Sequence, residues 1–329
     1  MPRENNRIKN RIDQQAQYHP DSAMPDFPEC ILVEISNLCN HKCVFCAYPK
    51  MTRPGRRIDL DLLDRLLREA YDLGAREAGF YSGAEPFMSP DLEKIIKLAK
   101  SIGYTYAFTS TNGSLATPER LRTCFDNGLD SIKFSINGGD RETYKKIHGR
   151  DHFDRVLANL KFASEYRDAK QLDYYIAVSF VLIDNEAASN VATKDQLSSL
   201  AGPYADEVLF IEACSENAQM IGLAPMEIKA PCGLPFSRFH VSAEGYLRMC
   251  CNDYQSYLSL IDLNSTTLKN AWHAEIFQEM RQRHLENRLE GTLCYNCVHN
   301  VNTPISPVVP HLAVKVEQDF FVFNPPKKS

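Results

Sequence analysis

Nowhere in the 329 residues is there a run of roughly 18 uninterrupted apolar residues, the length a membrane-spanning helix needs, so no transmembrane segment is expected. Neither sign of charge dominates. The 37 basic and 42 acidic residues leave a net charge of −5, which offers no global attraction to nucleic acid or to an anionic membrane. The leader from Met1 to Pro28 carries Arg3, Arg7, Lys9 and Arg11 but no apolar core of the kind a signal peptide has, and this predicts a polar N-terminal extension and a cytoplasmic protein. Internal repeats and low-complexity tracts are also missing. With 44% apolar and 24% charged residues the composition excludes wholesale disorder and a fibrous design, and the length permits one large domain with a smaller unit.

Cysteine, by contrast, is plentiful, with eleven in the chain. In a reducing compartment that number argues against a disulfide framework, and clustered thiols there hold metal or carry out chemistry. The sequons at Asn112-Gly113-Ser114 and Asn264-Ser265-Thr266 carry no meaning in that setting.

After the leader, β-rich runs alternate with amphipathic segments. The runs are Glu29 to Ser36, Glu77 to Ser82, Tyr104 to Ser110, Ser131 to Ser135, Tyr174 to Leu182 and Glu207 to Glu212. Between them, Leu60, Leu62, Leu63, Leu66, Leu67, Ala70 and Leu73 mark one helical face, and Ser89-Pro90 predicts a cap with proline at the first helical position of a helix from Asp91. Further helices are expected near Pro118 to Asn127, Phe153 to Tyr166 and Thr193 to Leu200. Six strand–helix units in succession predict an α/β fold, a partial (β/α)6 TIM-like barrel with its site at the strands' C-terminal ends, over residues 29–213. Residues 214–301 read as a small β-hairpin (Arg238 to Val241 and Tyr246 to Met249) followed by a helix from Leu268 to about His284, and 302–329 as an extended tail with five prolines.

Directly after the first strand comes Cys39-Asn-His-Lys-Cys43-Val-Phe-Cys46. Three thiolates on one loop suit one face of a cubic iron–sulfur cluster and leave its fourth iron open, whereas structural zinc and conventional clusters normally recruit four protein ligands. His41 offers a zinc reading but lies inside the loop. This spacing, with Phe45 just before the last cysteine, resembles the signature of the radical S-adenosylmethionine (SAM) superfamily. Ser82-Gly83-Ala84-Glu85-Pro86 is similar to that family's Gly-Gly-Glu-Pro motif with one glycine replaced by alanine; taken alone it also reads as a β–α turn with a pre-proline stop. The resemblance implies a [4Fe–4S] cluster on Cys39, Cys43 and Cys46 that binds and reductively cleaves SAM. It also implies a SAM pocket that includes Phe45, Gly83, Ala84, Glu85, Pro86, Asn112, Ser135 and Asn137, with the 83–86 motif touching the amino group. Turn formation accounts equally well for Asn112-Gly113 and Asn137-Gly138-Gly139.

A second group, Cys232, Cys250, Cys251, Cys294 and Cys297, resembles the twitch unit, the shortened SPASM domain of a branch of that superfamily. The resemblance implies one auxiliary [4Fe–4S] cluster on Cys232, Cys250, Cys294 and Cys297; tetrahedral zinc is the competing reading. Trp272, Ile276, Phe277 and Arg281 read as the unit's packing face. Neighbouring side chains on a strand point to opposite sides, so Cys250 and Cys251 cannot both face one cluster if the strand continues. Cys251 is then a candidate hydrogen-atom donor of an epimerase, or a buried small apolar residue, with Cys214 as a competing donor and Cys30 and Cys124 as packing residues. By resemblance the substrate is a small molecule, a sugar or aminocyclitol, served by a flavodoxin- or ferredoxin-type reductant. Dehydrogenation of a secondary alcohol, peptide modification and a non-catalytic zinc adaptor are the alternatives. Glu212, Asp253 and Tyr254 are expected either to meet substrate or to cap and solvate.

Overall fold

In the computed structural model the described residues are 20–182, 187–212, 231–251, 253–299, 301 and 303–314. They form one nine-stranded sheet flanked by helices, with strand order β6-β5-β4-β3-β2-β1-β7-β8-β9. Six parallel strands come from the first part of the chain: β1 (Cys30–Val33), β2 (Glu77–Gly79), β3 (Tyr106–Thr111), β4 (Ser131–Ser135), β5 (Tyr175–Leu182) and β6 (Glu207–Glu212). All four residues of β1 are buried, as parallel strands covered on both faces require. This is the partial (β/α)6 architecture.

The connecting helices are α1 (Leu60–Asp72), α2 (Leu92–Ile102), α3 (Pro118–Asp126), α4 (Arg141–His148), α5 (Phe153–Lys170) and α6 (Ala187–Ala201). Helix α1 is started by the Asp59 carboxylate, which accepts from the Leu62 amide at 2.9 Å, and it buries Leu62, Leu63, Leu66, Leu67 and Ala70 while Leu60 stays exposed. Thr117 caps α3, with Pro118 at its first turn. Ser89-Pro90 does not open α2 as expected. The Ser89 hydroxyl instead accepts from the Asp91 amide, which makes a turn, and Asp91 occupies the N-cap. Helix α4 went unforeseen in sequence: it is eight residues long, with only Tyr144, Ile147 and His148 buried, too brief for periodicity to register.

The hairpin falls where expected, as β7 (Arg238–Val241) antiparallel to β8 (Tyr246–Arg248), but β7 also pairs in parallel with β1, in the register Cys30↔Arg238 to Val33↔Val241. The C-terminal elements thus extend the main sheet. A further strand, β9 (Ser259–Asp262), completes it. The anticipated single helix from Leu268 divides at His273 into α7 (Leu268–Trp272) and α8 (Glu275–Leu285), and α9 (Leu293–His299) carries the Cys-x-x-Cys pair. The Arg281 guanidinium lies 3.8 Å from the centres of both the Trp272 and Phe277 rings and donates to the Trp272 and Pro235 carbonyls, so these residues do form the packing face. Among the described residues no helix is long and apolar enough to cross a membrane.

Candidate functional site

The segments leaving the C-terminal ends of β1 to β5 close around a cavity of about 260 Å³. Its walls include Cys39, Cys43 and Cys46, together with Phe45, Gly83, Ala84, Glu85, Asn112, Ser135 and Asn137, all picked out in sequence. Pro86 does not line it; buried, it opens a single 3₁₀ turn behind the wall.

The cysteine loop is held by its neighbours rather than by its own regular structure. The Lys42 and Val44 amides donate to the His148 and Ile147 carbonyls at the end of α4, and the Glu85 amide donates to the Leu38 carbonyl. Asn112 donates to Asn40, and Asn40 donates to the Ser114 hydroxyl. The Tyr48 phenol accepts from the Cys39 amide at 2.6 Å. Burial first, and then the nearby Glu85 carboxylate, push the Cys39 thiol up to about 12, so binding of iron there must displace a proton.

The Glu85 carboxylate also has a local structural part. One of its oxygens accepts from the Thr111 hydroxyl and the Phe87 amide, and the other from the Asn112 amide, so both are engaged in tying the β2 turn to the end of β3. Burial raises this carboxyl to about 7 against the opposing pull of those three donors.

Sequence reasoning missed a buried group beside Cys43. The Asn137 amide donates to His148 Nε2 at 3.2 Å, which leaves the ring proton of neutral His148 on Nδ1. That Nδ1 stands 3.3 Å from Cys43 Sγ and 3.1 Å from His41 Nδ1, and His41 Nε2 reaches His152 Nδ1 at 3.1 Å. Burial, and then His41 and His152, hold His148 well below the usual histidine pKa, which makes it a neutral donor. The donor atoms of His41, Cys43 and His148 all fall within 4.8 Å of one another, close enough to share a metal ion. With its proton on Nδ1, His148 faces two acceptors, the Cys43 sulfur and His41 Nδ1, and is placed as residues that orient metal ligands are. His41 was visible within the motif; His148, more than a hundred residues on in an unforeseen helix, gave no signal.

Cys232, Cys250, Cys294 and Cys297 gather around a second, mostly apolar chamber with Leu234, Pro235, Met249, Leu258 and His284. Among the described residues neither buried ring nitrogen of His284 has a hydrogen-bond partner. Four converging soft donors and an orphaned donor group suit an inserted cluster with acceptor sulfurs. Cys251 does not line this chamber but adjoins it: its thiol hydrogen-bonds that of Cys250 and lies within charge reach of Cys232. It packs with Tyr81 against the patch of Cys30, Leu32, Tyr106 and Phe108, and its carbonyl accepts from the Ser82 hydroxyl.

Other candidates separate clearly. Cys30 and Cys124 are buried packing residues. Asp253 accepts from the Tyr257 and Leu258 amides and is a turn-former. Tyr254 sits against the cysteine loop, with its phenol 3.4 Å from Cys46 Sγ. Cys214 and the Glu212 side chain lie outside the described residues.

Residues 33–177 match the family model of the radical SAM superfamily, and residues 232–298 match that of the SPASM iron–sulfur cluster-binding domain. An uncharacterized protein of Methanocaldococcus jannaschii is 29% identical over 60% of this chain, a match that spans 62% of that relative's length. A probable GTP 3',8-cyclase of Saccharolobus islandicus is 25% identical over 78% of the chain and 92% of its own. The crystal structure of BtrN in complex with AdoMet and 2-DOIA superposes with a TM-score of 0.59, covering 91% of this chain and 99% of BtrN at 18% identity. The first three cysteines lie within one matched region and the second four span the other, and the chain is accordingly a radical SAM enzyme with a C-terminal SPASM-type domain, whose cofactors are SAM and [4Fe–4S] clusters.

Proposed function

We propose that the chain abstracts a hydrogen atom from a carbon of a small polar substrate held in the β1–β5 cavity, and that Cys251 donates the hydrogen atom that completes an epimerisation, the thiyl radical left behind returning to the thiol with one electron from the reductant and a proton from solvent. In this reading Cys39, Cys43 and Cys46 hold the SAM-binding cluster, and Cys232, Cys250, Cys294 and Cys297 the auxiliary one. Reduced by a flavodoxin- or ferredoxin-type partner, the first cluster with SAM supplies a 5'-deoxyadenosyl radical. The protein's own part is to hold the cysteine loop rigid through α4 and the Asn40–Asn112–Ser114 bonds, and to present polar groups to the substrate. The substrate class proposed is a sugar or aminocyclitol, which shares the cavity with SAM and the cluster face.

The position of Cys251, outside the lining of the second cysteine chamber though hydrogen-bonded to Cys250, carries this reading. The thiol lies beside Tyr81 and within charge reach of Lys133, both of them cavity walls. In deuterated water, Cys251→Ala enzyme should still release 5'-deoxyadenosine but form no epimeric product. Normal turnover with unchanged solvent deuterium incorporation would overturn the donor role. One observation favours dehydrogenation of a secondary alcohol instead: Cys251 itself does not line the cavity. Product mass separates the two, unchanged for an epimer and lighter by two hydrogens for an oxidised product.

A further inference from the structure

We propose that Lys133 and the serines around it form an anion-recognising floor of this cavity, so that the substrate carries a carboxylate or a phosphate ester. The inference rests on the reading of the cavity as a substrate site and narrows the class of molecule it accepts.

Lys133 lies in the middle of β4, the strand at the centre of the parallel array, and lines the cavity. Its partners in register are Ser110 on β3 and Ala177 on β5, and two residues further along β4 Ser135 faces Ser179. Residues two apart share a face of a strand, so Lys133 and Ser135 present their side chains on the same side. The small partners on both sides leave space above the amine that larger inward residues would fill.

The amine has no carboxylate counterpart among the described residues. Among the described residues neither Lys133 nor the Ser110 hydroxyl has a hydrogen-bond partner, and no ion pair includes Lys133. Glu85 is, among the described residues, the one acidic residue lining the cavity, and both its oxygens are already engaged. Burial lowers the Lys133 pKa, with the nearby Cys251 opposing it only in part. Arg238 adds a second positive charge behind the Tyr81 wall, where it hydrogen-bonds the Tyr81 phenol. A half-buried ammonium without a carboxylate partner is costly to retain unless a ligand brings the opposite charge. Three serine hydroxyls, Ser110 level with the lysine and Ser135 and Ser179 two residues further along, can donate to the oxygens of such a group.

Calorimetric titration of the reconstituted, SAM-loaded holoenzyme with succinate and with inorganic phosphate, at fixed ionic strength, tests the assignment. The wild-type protein should bind at least one of these anions. Lys133→Met should weaken that binding by roughly tenfold or more, and Lys133→Arg, which keeps the charge, should restore most of it. Equal affinity in wild type and Lys133→Met, or no binding of either anion by the wild type, overturns the subsite. So does a Lys133→Met protein that loses SAM affinity yet binds the anion as before, because the amine would then serve the SAM carboxylate. The two readings fail separately. Wild-type enzyme that releases 5'-deoxyadenosine under reduction but binds neither anion overturns the subsite alone, whereas anion binding through Lys133 without any 5'-deoxyadenosine supports the subsite and overturns the radical chemistry.

Discussion

The phenol of Tyr254 lies 3.4 Å from the sulfur of Cys46, so a residue contributed by the C-terminal matched region touches the cysteine loop of the N-terminal one. The contact belongs to a larger clamp. Arg248 donates to the Ser82 hydroxyl at 2.6 Å, and the Gln255 side-chain carbonyl accepts from the Thr52 amide at 3.2 Å. Strand β8 and the segment that follows it therefore brace both the 82–86 turn and the loop carrying the first three cysteines. Removing only the hydroxyl, in Tyr254→Phe, should leave iron content unchanged while shifting the cluster's midpoint potential downward, since a hydrogen bond to a ligand sulfur stabilises the reduced state. Redox titration followed by electron paramagnetic resonance measures this; an unaltered potential would mean that the phenol donates elsewhere.

Glycine is needed at position 83 and not at 84. A Cβ on Gly83 would come within 2.7 Å of the Tyr254 ring, inside the closest normal approach, so alanine there must push the tyrosine away from Cys46. The neighbouring Ala84 already carries a methyl group. Gly83→Ala should lower SAM affinity by roughly tenfold or more, whereas Ala84→Gly should change it little; equilibrium dialysis with labelled SAM distinguishes them.

The two cysteine groups should separate by iron content. Wild-type protein reconstituted anaerobically should hold about eight irons per chain, and Cys39→Ala or Cys294→Ala about four, as expected of two cubic clusters. Only the first substitution should abolish release of 5'-deoxyadenosine from SAM under dithionite. Equal loss of this activity in both variants would assign the second group to the chemistry of the first.

Much of this arrangement is legible in the sequence because it depends on local signals. The spacing of Cys39, Cys43 and Cys46, the apolar face of α1 and the limits of Ser131–Ser135 and Glu207–Glu212 each lie within one short window. The clustering of Cys232 with Cys250, Cys294 and Cys297 was foreseen through family resemblance rather than spacing. What stayed hidden depends on contacts distant in sequence. The pairing of β7 with β1 joins residues about two hundred positions apart, and His148 acquires its role only where α4 brings it to Cys43. Lys133 escaped notice because a single lysine in a strand looks like any solvated residue until the sheet turns it into the cavity. The engagement of Glu85 shows the converse: a motif located its turn correctly, but only the structure shows which neighbours its carboxylate serves.

Glu34, at the end of β1, gives a prediction about pH. It is buried, pairs with Arg53 at 2.6 Å and with Arg248 at 3.5 Å, and accepts from the Ala243 amide; Arg53 also reaches Glu244 at 2.7 Å. Burial alone would raise the Glu34 carboxyl, but the two guanidinium groups together outweigh it and bring the pKa from the ordinary 4.5 down to about 2. A carboxyl with a lower pKa when folded binds fewer protons folded than unfolded, so its contribution to stability rises with pH. The contribution is complete above about pH 4.5 and falls away as the pH drops toward 2. Removing this charge in Glu34→Gln leaves Arg53 and Arg248 without their shared partner, which should cost on the order of 3 kcal/mol at pH 7. Urea unfolding of both proteins across this range should show the stability difference narrowing with acid, by at most about 1.4 kcal/mol per pH unit for one titrating group. A difference that stays constant from pH 7 to pH 3 would mean that packing, and not the charge of Glu34, accounts for the loss.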